Sequence, residues 1–367
     1  MTDPRVTKLA KVLVNYSVEI KPGQQLHIST SPLASELTLA IYEEAIKAGA
    51  NVFLEQPLDE ASELFYKYAS DEQLDYVSPV RKLIYDTFDA QLAIEATPNR
   101  RLLSAIDPQR MARRSKAHSG IMKTYLERAA RGELRWCVTV YPNNANAQDA
   151  DMSLRDYTEF VFDAGMLNED DPVAFWKALG KKQNKLVDWL KGKNTVVIQG
   201  SNVDLTLSIK DRVFISCDGK ENFPDGEIFT GPVEDSANGW IRFIYPAIFM
   251  GQEIMDIELW FENGKVVKEK ATKNQELLTS NLNTDAGSRY LGELGIGTNY
   301  GITKFTKEML FDEKIGGTIH LAVGAGYPET GSKNESALHW DMLCNMAESE
   351  VTVDNELFYK DGKPVIG

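Results

Sequence analysis

Cysteine and histidine are both scarce. Three cysteines, Cys137, Cys217 and Cys344, stand far apart in 367 residues, and no two are spaced as CxxC. That excludes a disulfide framework and fits a reducing compartment. No apolar run approaches the ~20 residues that cross a bilayer. The N-terminal MTDPRVTKLAK holds no apolar signal core. The expectation is a cytoplasmic protein with no membrane partner. Basic charge is in deficit, with 40 Lys+Arg against 54 Asp+Glu, a net charge of −14 and a pI of about 4.9. An acidic surface argues against nucleic acid as a partner. Arg100-Arg101, Arg113-Arg114 and Lys181-Lys182 read as solvated helix faces. No glycine-rich phosphate loop opens a helix, so a dinucleotide role has no support.

The remaining composition is ordinary, at 43% hydrophobic and 26% charged, and the length exceeds what one core usually supports. Two domains are expected. In the first half, apolar spacing predicts helices over residues 5–19, 34–48, 59–77 and 108–131, with strands at 25–30, 51–56, 90–96 and 135–141. His27 and His118 fall inside these elements and read as packing or surface residues. Two further helices follow, capped by Ser153 and by Asp171-Pro172. After Lys193 the texture becomes β, with short strands and the hairpin dipeptides Asn263-Gly264 and Asp361-Gly362. The fold class is therefore α/β followed by β. An open α/β layer domain over 1–192 precedes a mostly antiparallel β domain with a few helices over 193–367.

The chemistry concentrates between Gly316 and Met346, which holds two of the four histidines. Thr318–Val323 reads as a strand carrying His320. If Ala337–Asp341 is extended, His339 and Asp341 share a face, since strand side chains alternate. Two imidazoles and a carboxylate make a plausible transition-metal nucleus. A core histidine beside a surface His-x-Asp pair remains equally open from spacing alone.

The segments GTIHLAVG, YPETG and KNESALHWD resemble the signature region of the thermophilic metallo-aminopeptidases of the aminopeptidase T type, the M29 family. The likeness continues through NFPDGEIFTGPVEDSANG, LGELGIGTN, KPGQQLHIST and MSLRDYTEFVFDAG, in the family's order along the whole chain. It implies a metallo-aminopeptidase acting on peptides, a homodimer, and two divalent metal ions (Zn, Co, Mn or Mg). It places metal ligands at Glu234, in the Pro-Val-Glu motif, and at Glu293, His320, His339 and Asp341. It also puts a tyrosine near the metals at Tyr327, where a phenol would bond a tetrahedral oxyanion. The metals would polarise the scissile carbonyl and lower the pKa of bound water, with a glutamate, Glu234 in this reading, moving the proton to the leaving amine. Glu329 is a lesser candidate for a base or for the substrate's ammonium group, and Asn334 and Ser336 for shaping the loop. Cys344 lies three residues past Asp341, a possible neighbour of the site. Only 18 residues separate His320 from His339, fewer than in some members, which bears on peptide preference. Two rivals are a mononuclear non-heme iron ring-cleaving dioxygenase of the dihydroxypyridine type and a non-catalytic binding protein with a structural metal.

Overall fold

The structure is a computed structural model describing residues 3–249 and 251–366. Contact density divides the chain into two units: Met1–Val173 with Gly219–Pro224, and Ala174–Asp218 with Asp225–Gly367. The sequence sets the division near Gly192, whereas the helix Pro172–Leu190 groups with the second unit from Ala174 onward. Its Leu186 and Leu190 are buried in that unit's core. The return of Gly219–Pro224 to the first unit follows from Asn222–Phe223 pairing in parallel with Arg135–Val140. A two-residue strand leaves no periodic trace in a sequence.

The first unit is built on a five-stranded parallel sheet in the order Asn51–Glu55, Gln25–Thr30, Ala90–Glu95, Arg135–Val140, Asn222–Phe223. The stretch read as one helix over 59–77 is two, Asp59–Tyr68 and Asp71–Asp75. Ser70 and Gln73 form a reciprocal capping box that restarts the helix there. Pro79–Thr87 is a further helix, with proline at its first turn, where a missing N–H costs nothing. The helix over 5–19 runs as Pro4–Val12 and then widens into a π turn at Leu13–Ser17. His27 is buried with its Nε2 3.0 Å from Glu55 Oε2, and His118 Nδ1 lies 2.9 Å from the Arg114 carbonyl. Both histidines are engaged locally.

The second unit holds an eight-stranded and a five-stranded sheet, both antiparallel. Positive φ at Asn263 (48°) and Gly264 (80°), and at Asp361 (46°) and Gly362 (77°), makes the two predicted tight hairpins. The five-stranded sheet positions the site. Its strands are β1 (Ile215–Cys217), β2 (Glu227–Thr230), β3 (Leu291–Gly297), β4 (Thr318–Gly324) and β5 (His339–Asn345), adjacent in the order β5-β4-β3-β2-β1. One face supplies Ile228, Leu294, Ile296, Ile319, Leu321, Val323, Trp340, Met342 and Cys344 to the unit's apolar core. Cys344 therefore points away from Asp341, and Asn202 Nδ2 approaches its sulfur at 3.2 Å.

Candidate metal centre

The other face of that sheet collects the polar residues, and the strand register shows how. Directly opposed residues of an antiparallel pair share a face. Gly295 opposes both His320 and Phe229, Gly297 opposes Glu227, Ala322 opposes both Glu293 and Asp341, and Gly324 opposes His339. Glu227, Glu293, His320, His339 and Asp341 thus rise from four adjacent strands onto one face. The residues between them are Gly295, Gly297, Ala322 and Gly324, so the floor carries almost no side-chain bulk. A Cβ on Gly295 would lie 2.0 Å from His320 Cε1 and Nε2; the imidazole occupies the space above that glycine. A β-bulge between Leu291 and Glu293 resets the alternation and aims Glu293 at the cluster.

His320 Nε2 lies 3.1 Å from Glu293 Oε1 and 3.2 Å from Glu227 Oε2. His339 Nε2 lies 3.5 Å from Glu293 Oε2 and 3.4 Å from Asp341 Oδ2. The two oxygens of Glu293 therefore face one imidazole each. His339 Nδ1 sits 2.8 Å from the Ala325 carbonyl, which only accepts, so Nδ1 carries the proton and Nε2 is left to coordinate. The donors form overlapping groups, each with its atoms within 4.8 Å of one another: Glu227, Glu293 and His320; Glu293, His339 and Asp341; Glu313, His320 and Asp341.

Burial of so many like charges perturbs Glu227, Glu293, His320, His339 and Asp341. Burial works against a charged His320, but Glu293 and Glu227 outweigh it and lift its pKa to about 9. His339 is likewise lifted to about 10, by Asp341 and Glu293 against burial. Burial raises Glu227 to about 8 although Lys314 pulls the other way, and burial also raises Glu293. Asp341 is lowered, because bonding to His339 and the nearby cations together exceed its own desolvation. Lys314 is fully buried; desolvation opposes its charge, yet Glu227, Glu313 and Asp225 raise its pKa well above the ordinary value.

The residues fit divalent metal. Glu227 Oε2, Asp341 Oδ1 and His320 Nδ1 are buried without a hydrogen-bond partner, a costly condition for polar atoms. The two carboxylate oxygens among them belong to the cluster, where cations would satisfy them. A mixed nitrogen and oxygen set suits zinc, cobalt or manganese, and its carboxylates tolerate magnesium.

Four of the five expected ligands converge: Glu293, His320, His339 and Asp341. Glu234 does not join them. Its Oε2 takes an ion pair from Arg212 Nη2 at 2.7 Å, and its Oε1 accepts from the Lys333 N–H at 2.6 Å. It lies past Pro232, after β2 has ended, whereas Glu227 stands within β2 on the facing side of the sheet. Glu227, and not Glu234, brings a donor atom within 4.8 Å of Glu293 and His320. A trace of this exists in Glu-Ile-Phe-Thr, where a carboxylate interrupts an otherwise strand-forming run; Glu293 is a similar case, in a strand buried at every position.

Tyr327 packs edge-on to His339, ring centroids 5.1 Å apart, and against Phe229 at 5.4 Å. Tyr327 is 40% exposed as a residue, but desolvation of its phenol against His339 and Phe229, with the cluster's carboxylates, raises its pKa, so the phenol keeps its proton and can donate. Glu329 is exposed on a short 3₁₀ turn. Asn334 and Ser336 do brace the loop: Asn334 Nδ2 donates to the Gly324 and Gly287 carbonyls, and Ser336 Oγ donates to Asp285 at 2.8 Å. Among the described residues no helix is long and apolar enough to cross a membrane.

A family model described as thermophilic metalloprotease (M29) matches residues 2–363. Aminopeptidase 2 of Geobacillus stearothermophilus is 27% identical, covering 98% of this chain and 95% of its own. Aminopeptidase AmpS of Bacillus subtilis (strain 168) is 26% identical, covering 95% and 94%. The solved structure of wild-type AmpT from Thermus thermophilus superposes with a TM-score of 0.86 at 22% identity over 99% of each chain, which establishes a shared fold.

Proposed function

The chain belongs to the thermophilic metalloprotease (M29) family, and we propose that it is a metal-dependent aminopeptidase whose Glu227, Glu293, His320, His339 and Asp341 hold two divalent cations. It is a hydrolase that removes N-terminal residues from peptides. The observation that carries the two-cation reading is the pair of donor groups sharing Glu293, one oxygen toward each imidazole. Bridging carboxylates are what hold two dications in one site against their repulsion.

Cations bound there supply Lewis acidity and make water a nucleophile near neutral pH. The residues do the rest. Ala325 fixes the His339 tautomer and so its orientation. The Tyr327 phenol, protonated and beside His339, donates to the oxyanion that develops on the attacked carbonyl. Glu313, whose carboxylate lies within 4.8 Å of His320 and Asp341 donors, is placed to carry the proton from water to the departing amine. Removal of one oxyanion donor typically costs a hundred- to thousandfold in kcat, which sets the expectation for Tyr327→Phe.

The homodimer and the cytoplasmic location belong to the same reading and rest on family likeness and composition. The ring-cleaving dioxygenase gains no support: the relatives are named aminopeptidases, and Glu293 serves two donor groups where a mononuclear site needs one. The experiment is chelation followed by readdition of Zn²⁺, Co²⁺ or Mn²⁺, with free and N-acetylated peptides as substrates. Activity should vanish with the metal, return with it, and ignore acetylated peptides. Internal cleavage of acetylated peptides at comparable rates refutes an aminopeptidase.

A further inference from the structure

Lysine is almost never fully buried unless paired. Lys314 is fully buried, immediately beside the donor cluster. Its Nζ lies 2.7 Å from Glu227 Oε1 and 3.9 Å from Asp225 Oδ1, and it contacts Glu313. Cys217, Asp225 and Glu227 bring donor atoms within 4.8 Å of one another, a grouping that would by itself attract a cation. The Lys314 ammonium lies against two of the three. The backbone is built to deliver it. A Cβ on Gly297, which opposes Glu227, would meet the Ile315 carbonyl oxygen at 2.0 Å and the Lys314 carbonyl carbon at 3.0 Å. The glycine lets the turn before β4 lie close over the sheet.

Resting on the two-cation reading above, we propose that Lys314 is a positioning residue, a built-in third cation that fixes Glu227 and leaves only one of its oxygens to bind metal. Glu227 is divided between two tasks: Oε1 is taken by Lys314, while Oε2 faces His320 and has no hydrogen-bond partner. Held this way, Glu227 cannot swing to chelate one ion through both oxygens. Charge counting points the same way. As formal charges, Asp225, Glu227, Glu293, Glu313 and Asp341 less the Lys314 ammonium come to four negative charges, which two dications would neutralise. Without Lys314 the loaded site would be left with a net buried negative charge. Because Lys314 acts through Glu227, it governs the ion held by Glu227, Glu293 and His320 more than the ion held by Glu293, His339 and Asp341.

The test is metal titration of full-length protein against a chromogenic chelator, with Co²⁺ absorption reporting each site's geometry. Lys314→Met should weaken one of the two ions by about ten- to a hundredfold, as loss of an outer partner typically does, and leave the other near its wild-type affinity. Lys314→Arg keeps a cation and should hold both ions within about tenfold of wild type; this comparison also stands if Lys314→Met does not fold. Ethylammonium added to Lys314→Ala should restore the weakened ion. Wild-type affinities for both ions in Lys314→Met would overturn the proposal. So would equal weakening of both ions in Lys314→Arg, or no recovery with ethylammonium, since either would make Lys314 a packing residue. Failure of the underlying reading looks different: wild-type protein would bind fewer than two ions, whatever the Lys314 variants do.

Discussion

Glu227→Gln and Glu234→Gln, compared side by side, decide which glutamate belongs to the metal centre. Glu227 Oε2 lies 3.2 Å from His320 Nε2, and donor atoms of Glu227, Glu293 and His320 lie within 4.8 Å of one another, so Glu227 would bind directly a cation held by these groups. Two unit charges ~4 Å apart are worth about 4 kcal/mol near a protein surface. A dication doubles that to about 8 kcal/mol, and relief of repulsion from Glu293 and Glu313 returns roughly half. The surplus of about 4 kcal/mol is about a thousandfold in metal affinity. Metal-free stability should hardly change. Burial already disfavours the charged form of Glu227, so exchanging its carboxyl for an amide of the same shape removes little from the metal-free fold. Glu234→Gln should behave in the opposite way. It weakens the bond to Arg212, whose side chain is only 7% exposed, and costs about 1–3 kcal/mol of stability. Both ions should remain within about threefold. Chelator competition measures the affinities, and denaturant melts of metal-free protein measure the stabilities. An ion lost from Glu234→Gln and kept by Glu227→Gln would refute this assignment.

Three other outcomes follow from the same coordinates. Glu293→Gln should lower the metal content by about one ion per chain, counted by elemental analysis, and remove most peptidase activity, because its two oxygens face different imidazoles. Gly295→Ala should displace the His320 ring, which a Cβ would meet at 2.0 Å, and weaken the ion on the His320 side in chelator titration; unchanged affinity would mean the ring is not seated there. Asp285 accepts from the Ala337 N–H, Ser336, Ser288 and the Gly287 N–H, and those bonds, the Ala337 N–H foremost, hold its pKa at about 2 against an ordinary 3.8. A depressed carboxyl stabilises the fold fully above 3.8 and loses that contribution as pH falls through about 2. The gap in denaturant midpoint between wild type and Asp285→Asn should therefore be constant above pH 5 and shrink as pH falls from 4 toward 2.

Much of the site was legible because strands alternate. Thr-Ile-His-Leu-Ala-Val-Gly sends Ile319, Leu321 and Val323 to the core and His320 to the opposite face, as His-Trp-Asp-Met does for His339 and Asp341. Glu293 was harder to read, since Leu-Gly-Glu-Leu-Gly suggests a turn. Only pairing with β2 and β4, and a bulge, make it a buried strand residue. The first unit's helices were found where an apolar stripe runs unbroken, and missed or merged where local start signals govern, the Ser70 cap and Pro79 in a first turn.

The sequence alone determined the α/β-then-β order, the family, and the identity of His320, His339 and Asp341 as metal candidates, because these follow from local periodicity and short motifs. Only the tertiary structure separates Glu227 from Glu234. Both belong to the same GEIFTGPVE run, and both are carboxylates that a motif can propose. Register puts Glu227 opposite Gly297 on the polar face, while Arg212 and the Lys333 N–H, distant in sequence, claim Glu234. The burial of Lys314 among three carboxylates was equally invisible in the sequence. The physical reason is that a buried charge is defined by its partners, and those partners come together only when separate stretches of chain pack against one another.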